Sequence, residues 1–230
     1  METTDKLKVR DYVRKKIGDQ VLPEVYWVGE DPVEMPFDKL PTSFVLKTNH
    51  GCGFNIFVPD KSKLDKQAAI RQLSNWLEVT YGKEVLEWAY KYIERRVYAE
   101  ELLLDENGNI PADYKFFVFA GRAAPVVFIC SDRHNNPKWD FYDFDWNHLL
   151  VTPDHPCSKQ GLQRPANFHM MKEYSEILGS SFDFVRVDLY DMKSRVVFGE
   201  MTHYPDSGFT DYDQSYDEWL GSLWELPGVR

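Results

Sequence analysis

Phe182-Asp-Phe-Val-Arg-Val-Asp-Leu-Tyr190, then a short polar break, then Val196-Val-Phe-Gly-Glu-Met-Thr-His203, is the stretch on which the reading of this chain turns. Both runs are rich in β-branched and aromatic residues, and Asp191-Met-Lys-Ser194 between them has the composition of a hairpin turn. Residues opposed on an antiparallel pair share a face, and a slip of one residue exchanges the faces. If Asp191 pairs with Arg195, leaving Met192, Lys193 and Ser194 as the loop, Arg186 stands opposite Glu200. Asp188 then lies one diagonal step away, roughly 7–8 Å between Cα atoms, and both carboxylates reach one hard cation. The other register separates them. A lone carboxylate on a strand is ordinarily punctuation, but two on one face beside an arginine point to a metal and phosphate site.

The chain around this hairpin has 230 residues, enough for one large domain or two lobes. Its 43% hydrophobic and 15% aromatic content can build a substantial interior. A net charge of −10 argues against general binding to nucleic acid or anionic membrane. No apolar run has the length of a membrane span, and the N-terminus lacks an apolar signal core. Cys52, Cys130 and Cys157 are too scattered for a disulfide framework. The expectation is a cytoplasmic protein.

Leu7, Val9, Tyr12, Val13 and Ile17 among charges predict a helix over Asp5–Ile17, ended by Gly18. Pro23, Pro32, Pro36 and Pro41 make the next segment irregular or short strand. Phe44–Lys47 and Phe54–Val58 read as strands joined by the polar loop Thr48-Asn-His-Gly-Cys-Gly53. Asp65 is a candidate N-cap for a helix carrying Ala69, Ile70, Leu73, Trp76 and Leu77. A further helix is expected over Lys83–Ile93, then strands over Val97–Leu104, Asp113–Ala120 and Ala124–Ser131. Another helix is expected over Asn167–Leu178. The pattern is α+β, with helices packed on antiparallel sheets in two lobes.

Lys47 ends an apolar strand just before a glycine loop, where backbone N–H groups can approach phosphate and a lysine supplies countercharge. An ordinary hairpin with a solvated lysine is the plainer reading of that feature alone. Glu100-Glu101-Leu102 closes a strand, as charged residues often do. Lys115 lies early on a Phe/Val strand and Arg133 directly follows another. Snorkelling to solvent is their commoner use, whereas convergence on the two carboxylates would form a phosphoryl-transfer clamp. His50-Gly-Cys52 and His155-Pro-Cys157 are a rival pair of zinc-ligand candidates without a usual zinc spacing. Cys52 beside His50 rarely has the geometry of a nucleophile and base. The Trp139–Trp146 aromatics could form a sugar or base platform, though such runs more often pack internally.

Taken in order, these blocks resemble the ATP-grasp superfamily, and within it the TupA-like ATP-grasp family. The resemblance runs through Asp5-Lys-Leu-Lys-Val-Arg-Asp-Tyr-Val13, Leu40–Gly51, Asp113–Gly121, Phe141–Trp146, Val185–Tyr190 and Phe198–His203. It implies two α+β lobes with antiparallel sheets clasping a nucleotide. Residues 1–40 would be a helix and proline-rich lead-in, 41–101 the small lobe with the phosphate flap, and 102–230 the large lobe with the metal site. The preceding α/β domain of such enzymes is expected to be largely absent, so that either the acceptor site is reduced or a partner or second subunit completes it. By the same resemblance, Lys6 and Lys47 match the ATP-phosphate lysines, and His50, Gly51 and Gly53 lie in the flap. Glu100, Glu101 and Leu102 match the hinge at adenine and ribose. Arg133, with Lys115 and Arg186, matches the catalytic cations. Asp188, Glu200 and Thr202 match the Mg²⁺ ligands, with Glu200-Met-Thr202 standing where the family has Glu-x-Asn. His203 and Ser207 fall at substrate-contact positions. The implied activity is ATP-dependent carboxylate–amine ligation through an acyl-phosphate with ADP release, on cell-surface polysaccharide or peptide polymers. A phosphotransferase of the same fold and a non-catalytic nucleotide- or glycan-binding accessory protein are the alternatives.

Overall fold

The computed structural model describes residues 2–82, 87–132, 136–151, 156–159 and 161–226. Arg133 and His155 lie outside the described residues. The chain divides into two units, one of Met1–Arg10 with Pro23–Leu103 and one of Asp11–Leu22 with Leu104–Arg230.

In the first unit, β1 (Val25–Gly29), β2 (Phe44–Thr48), β3 (Asn55–Val58) and β4 (Val97–Glu100) form a sheet in the order β1-β4-β2-β3. All its pairs are antiparallel, and Leu46 stands between Ala99 on β4 and Ile56 on β3. The proline-rich segment thus contributes one short strand, β1. Helix α2 (Lys66–Glu78) starts where a side chain can take up an orphan N–H: Asp65 accepts from Ala68 N at 2.9 Å. Its Ala69 and Leu73 join Phe44, Leu46, Val97 and Ala99 in the core of this unit. The helix expected over Lys83–Ile93 is not what the described part forms: Trp88–Tyr92 is a 3₁₀ helix with no capping side chain. Tyr90 instead sits edge-on to Tyr81, with ring centroids 5.0 Å apart, so packing overrides propensity there. Residues 83–86 lie outside the described set. The strand expected to Leu104 ends at Glu100.

The second unit contains β5 (Asp113–Phe119), β6 (Arg122–Ser131), β7 (Lys138–Asp143), β8 (His148–Leu149), β9 (Phe184–Asp191) and β10 (Val196–Thr202). They form one antiparallel sheet in the order β10-β9-β5-β6-β7-β8. Strand alternation separates two faces. On one, Phe116, Val118, Val185 and Val187 are buried beneath α3 (Phe168–Gly179), with Phe116 and Phe168 5.9 Å apart. On the other, Phe117, Phe128 and Phe141 pack against Tyr216 and Leu220 of α4 (Gln214–Ser222), a helix beyond those expected from the sequence. Phe128 stacks on Phe141 at 4.7 Å. The Trp139–Trp146 aromatics therefore pack internally: Tyr142 also stacks on Trp146 at 4.6 Å on the α3 face. Helix α1 (Val9–Ile17) buries Val13, and its Tyr12 hydroxyl donates to Leu178 O at 2.6 Å. Among the described residues no helix is long and apolar enough to cross a membrane.

Candidate functional site

The hairpin does not take the register expected for it. Val196 pairs with Asp191 and Phe198 with Leu189, the register that would have put Glu200 and Asp188 on opposite faces. A bulge then intervenes between Phe198 and Glu200, and beyond it Glu200 pairs with Asp188 and Thr202 with Arg186. The extra residue is Gly199, and it restores the shared face that the turn end had lost. Only glycine fits: a Cβ there would lie 2.9 Å from Asp188 O.

Because Lys115 of β5 pairs with Asp188 from the other side, Lys115, Asp188 and Glu200 make one row across three adjacent strands. Arg186 Nε donates to Asp188 Oδ1 and its Nη2 to Asp188 Oδ2, both at 2.8 Å. The same Nη2 lies 3.3 Å from Glu200 Oε1 and 3.1 Å from Thr202 Oγ1. Lys115 Nζ bonds Asp188 Oδ2, and also Asp113 Oδ2 at 3.2 Å. Asp113, Lys115 and Asp188 are buried, whereas the Glu200 side chain is 26% exposed. The carboxylates beside Arg186 hold its guanidinium charged against the cost of burial. Asp113, Asp188 and Glu200 thus share one cluster with Lys115 and Arg186, and Glu200 is its more open carboxylate. Burial pushes the Tyr212 hydroxyl up to about 12, with Arg186 close enough to oppose the rise.

Of the residues expected to form the site, Lys115, Arg186, Asp188, Glu200 and Thr202 are brought together. His203 stands edge-on to Phe182 at 4.9 Å, and burial lowers its pKa below the ordinary 6.5. Ser207 sits in a turn with φ +53° between two other left-handed residues, Asp206 and Gly208. Asp113 was missed. Its signal was available, since Asp113 and Lys115 alternate onto one face of the same strand.

The first unit holds the other expected set. Lys47 Nζ bonds Glu100 Oε1 at 2.5 Å, and Arg10 lies 3.8 Å from the other Glu100 oxygen. Glu101 exchanges backbone and side-chain bonds with Glu24, accepting Glu24 N at 3.2 Å. Leu102 follows, partly buried. His50 is 1% exposed, its Nε2 is 3.2 Å from Trp76 O and its ring is against Phe54, so this imidazole serves the interior. Gly53 takes φ +76° with open space around it, which gives the loop a tip free of side-chain bulk. Lys6 is tied in through its backbone N–H to Asn49 O at 3.2 Å. Asn49, unremarked in the sequence, is the buried node here. Its Nδ2 donates to Asp5 Oδ1 at 3.0 Å and Glu94 O at 2.9 Å, and its Oδ1 accepts from Arg96 N at 2.8 Å.

A four-stranded and a six-stranded antiparallel sheet, with a cation–carboxylate row on the second, belong to the ATP-grasp fold. The chain belongs to the TupA-like ATPgrasp family, which it matches over residues 1–225. Among solved structures it is similar to D-alanine–D-alanine ligase from Bacillus anthracis complexed with ATP, with TM-score 0.52 and 15% identity over 96% of this chain and 64% of that one. It is also similar to the ATP-grasp ligase PsnB complexed with minimal precursor, Mg and ADP (TM-score 0.48, 10% identity, 96% and 59% covered). Phosphoribosylamine–glycine ligase from Thermotoga maritima gives TM-score 0.46 and 12% identity over 87% and 48%. The chain spans less than two thirds of the length of these proteins. Comparison with curated protein sequences gives no match.

Proposed function

We propose that the protein is an ATP-dependent ligase that activates a carboxylate as an acyl-phosphate, releases ADP and passes the acyl group to an amine. The observation that carries this reading is the convergence of Asp188 Oδ2, Glu200 Oε1 and Thr202 Oγ1 on one cationic nitrogen, Arg186 Nη2, within 3.3 Å. An all-oxygen donor set of two carboxylates and a hydroxyl suits Mg²⁺, and the guanidinium already shows that these oxygens share one focus. Asp188, Glu200 and Thr202 would hold the metal once Arg186 withdraws its Nη2. When bound, Mg²⁺ would neutralise charge on the phosphoryl group in transfer. Arg186 and Lys115 would then face the reacting phosphate as positioned cations, with Arg133 a further candidate; none of them needs to form a covalent bond.

In this reading residues 41–101, including Lys47, His50, Gly51, Gly53, Glu100, Glu101 and Leu102, form the nucleotide-binding small lobe, with Lys6 from the 1–40 lead-in. Residues 102–230 form the large lobe, and His203 and Ser207 meet the acceptor. We assign the substrates to cell-surface polysaccharide or peptide-polymer precursors made in the cytoplasm, with a partner subunit or second copy completing the acceptor site.

The test is thermal stabilisation by ATP with and without Mg²⁺, on the wild type and on Glu200→Gln. A ligand at a hundredfold excess over Kd stabilises by about 2.7 kcal/mol. The expected result is a Mg²⁺-dependent shift that Glu200→Gln largely removes. No shift in either protein would sink the reading. ADP release should then require both a carboxylate and an amine; release without amine favours a phosphotransferase. The position of Arg186 in the donor focus supports one second reading, a nucleotide-binding accessory protein. Stabilisation by ATP that ignores Mg²⁺, with no turnover, would favour it.

A further inference from the structure

A second cluster of ionisable side chains, with one carboxylate, lies on the same sheet, on the other face. Asp140 of β7 pairs with Ile129 of β6, whose neighbours Phe128 and Cys130 belong to the α4-side core, so alternation puts Asp140 on the α3 side. It is 0% exposed. Its oxygens accept Ser158 N–H at 3.0 Å and the Ser158 hydroxyl at 2.7 Å, and lie 3.1 Å from His148 Nε2. Among the described residues no lysine or arginine pairs with it, in contrast to Asp188 with its two cations. Burying a carboxylate among neutral donors is costly, and a countercharge is the usual remedy.

The third member of the cluster is Cys157. A carboxylate oxygen of Asp140, a ring nitrogen of His148 and the Cys157 sulfur all lie within 4.8 Å of one another. The thiol is brought there by both of its neighbours. Trp139 N–H donates to Pro156 O at 3.0 Å on one side, and Ser158 is bonded to Asp140 on the other. β8 supplies His148 through its pairing with Tyr142.

We propose that Asp140, His148 and Cys157 bind a divalent cation of the zinc class. One oxygen, one nitrogen and one sulfur suit Zn²⁺, not the all-oxygen preferences of Mg²⁺ or Ca²⁺. A dication balances the charges of one carboxylate and one thiolate, the thiol giving up its proton on ligation. Three protein ligands leave the fourth tetrahedral position to water. The ion would clamp the chain around Cys157 to β7 and β8. The cysteine flagged by the sequence is thus partnered by Asp140 and His148, which are distant from it in sequence. The inference is independent of the ATP chemistry proposed above.

The rival arrangement is a plain ion pair, in which protonated His148 is the counter-ion of Asp140 and Cys157 is a bystander. The experiment is a Co²⁺ titration of the full, chelator-treated chain, followed by Zn²⁺ competition. The expected result is binding of about one Co²⁺ per chain with a thiolate-to-cobalt band in the near ultraviolet and intense four-coordinate visible bands, all removed by Zn²⁺. Cys157→Ser should abolish the near-ultraviolet band, while Cys52→Ser keeps it. His148→Gln should weaken Co²⁺ binding by more than about tenfold, since loss of even an outer-sphere partner costs that much. A wild type without the band, or a band that survives Cys157→Ser, overturns the proposal in favour of the ion pair.

Discussion

Glu200 stands directly opposite Asp188 only because one residue, Gly199, is looped out of the ladder between Phe198 and Glu200. The turn sets one register and the bulge replaces it with another before the carboxylates are reached. The bulge depends on a close backbone approach, with 2.9 Å between Asp188 O and the place where a Cβ would be. Gly199→Val is therefore expected to destabilise the protein by about 1–3 kcal/mol, the usual cost of forcing carbon into a filled space. Urea unfolding checks this. An unchanged midpoint would mean that the strand tolerates a side chain at the bulge.

Lys115 is expected to matter for stability independently of any ligand. Its ammonium bonds both Asp113 and Asp188, and all three side chains are at most 6% exposed. Lys115→Met removes the positive charge while keeping most of the apolar stem. Breaking a buried pair by removing one partner costs about 3–5 kcal/mol. Combining Lys115→Met with Asp113→Asn should recover part of that loss, because one of the stranded charges goes too. A single variant as stable as wild type would show that the row carries no net electrostatic strain without its lysine.

The fold was legible where local chemistry and tertiary packing agree. Asp65 capping α2, the alternation of β9, and the run Asp113–Phe119 announce themselves in sequence. Proximity of Lys115, Arg186, Asp188, Glu200 and Thr202 was legible through the resemblance and the face they share. Their register was not, because a bulge depends on backbone contacts between strands that pairing rules of period two do not contain. Tyr90 illustrates the other kind of miss: its contact with Tyr81 replaces the regular helix that its segment's composition favours. Asn49 and Asp140 were unreadable for a related reason. Each is a buried polar node whose partners come from separate segments, such as Asp5, Glu94 and Arg96 for Asn49.

One buried imidazole, His50, and one partly buried, His203, predict an acid-side loss of stability. His50 has its pKa lowered from 6.5 by burial first and Arg95 second, and His203 is lowered mainly by burial. The unfolded chain therefore takes up protons at a higher pH than the folded one. Their contribution is fully present above about pH 6.5 and falls as the pH drops toward the depressed folded values. Urea midpoints are expected to fall between pH 7.5 and about pH 5, and His203→Gln should flatten that slope. The same slope in wild type and in His203→Gln would exclude His203 as a contributor.

Asn49 offers the sharpest test of how the N-terminal segment is held. Its amide spans Asp5 Oδ1, Glu94 O and Arg96 N, and its backbone N–H reaches Arg96 O at 3.2 Å. Asn49→Ala keeps the backbone bond but leaves the buried Asp5 carboxylate and a backbone N–H without this partner. The backbone N–H left unsatisfied costs about 1–3 kcal/mol, and the carboxylate loses one of its several donors. Asp5 also accepts Leu7 N at 2.9 Å, so the turn leading into α1 should loosen with it. The expected outcome is a loss of about 2–4 kcal/mol in urea unfolding together with faster tryptic cleavage after Lys6 and Lys8. Asn49→Asp separates the two demands on this side chain, because it keeps an acceptor for Arg96 N but sets a second carboxylate beside Asp5. It should therefore cost at least as much as alanine. Cleavage at wild-type rate in both variants would show that the segment is held by its apolar contacts, Val9 and Val13 foremost, and not by Asn49.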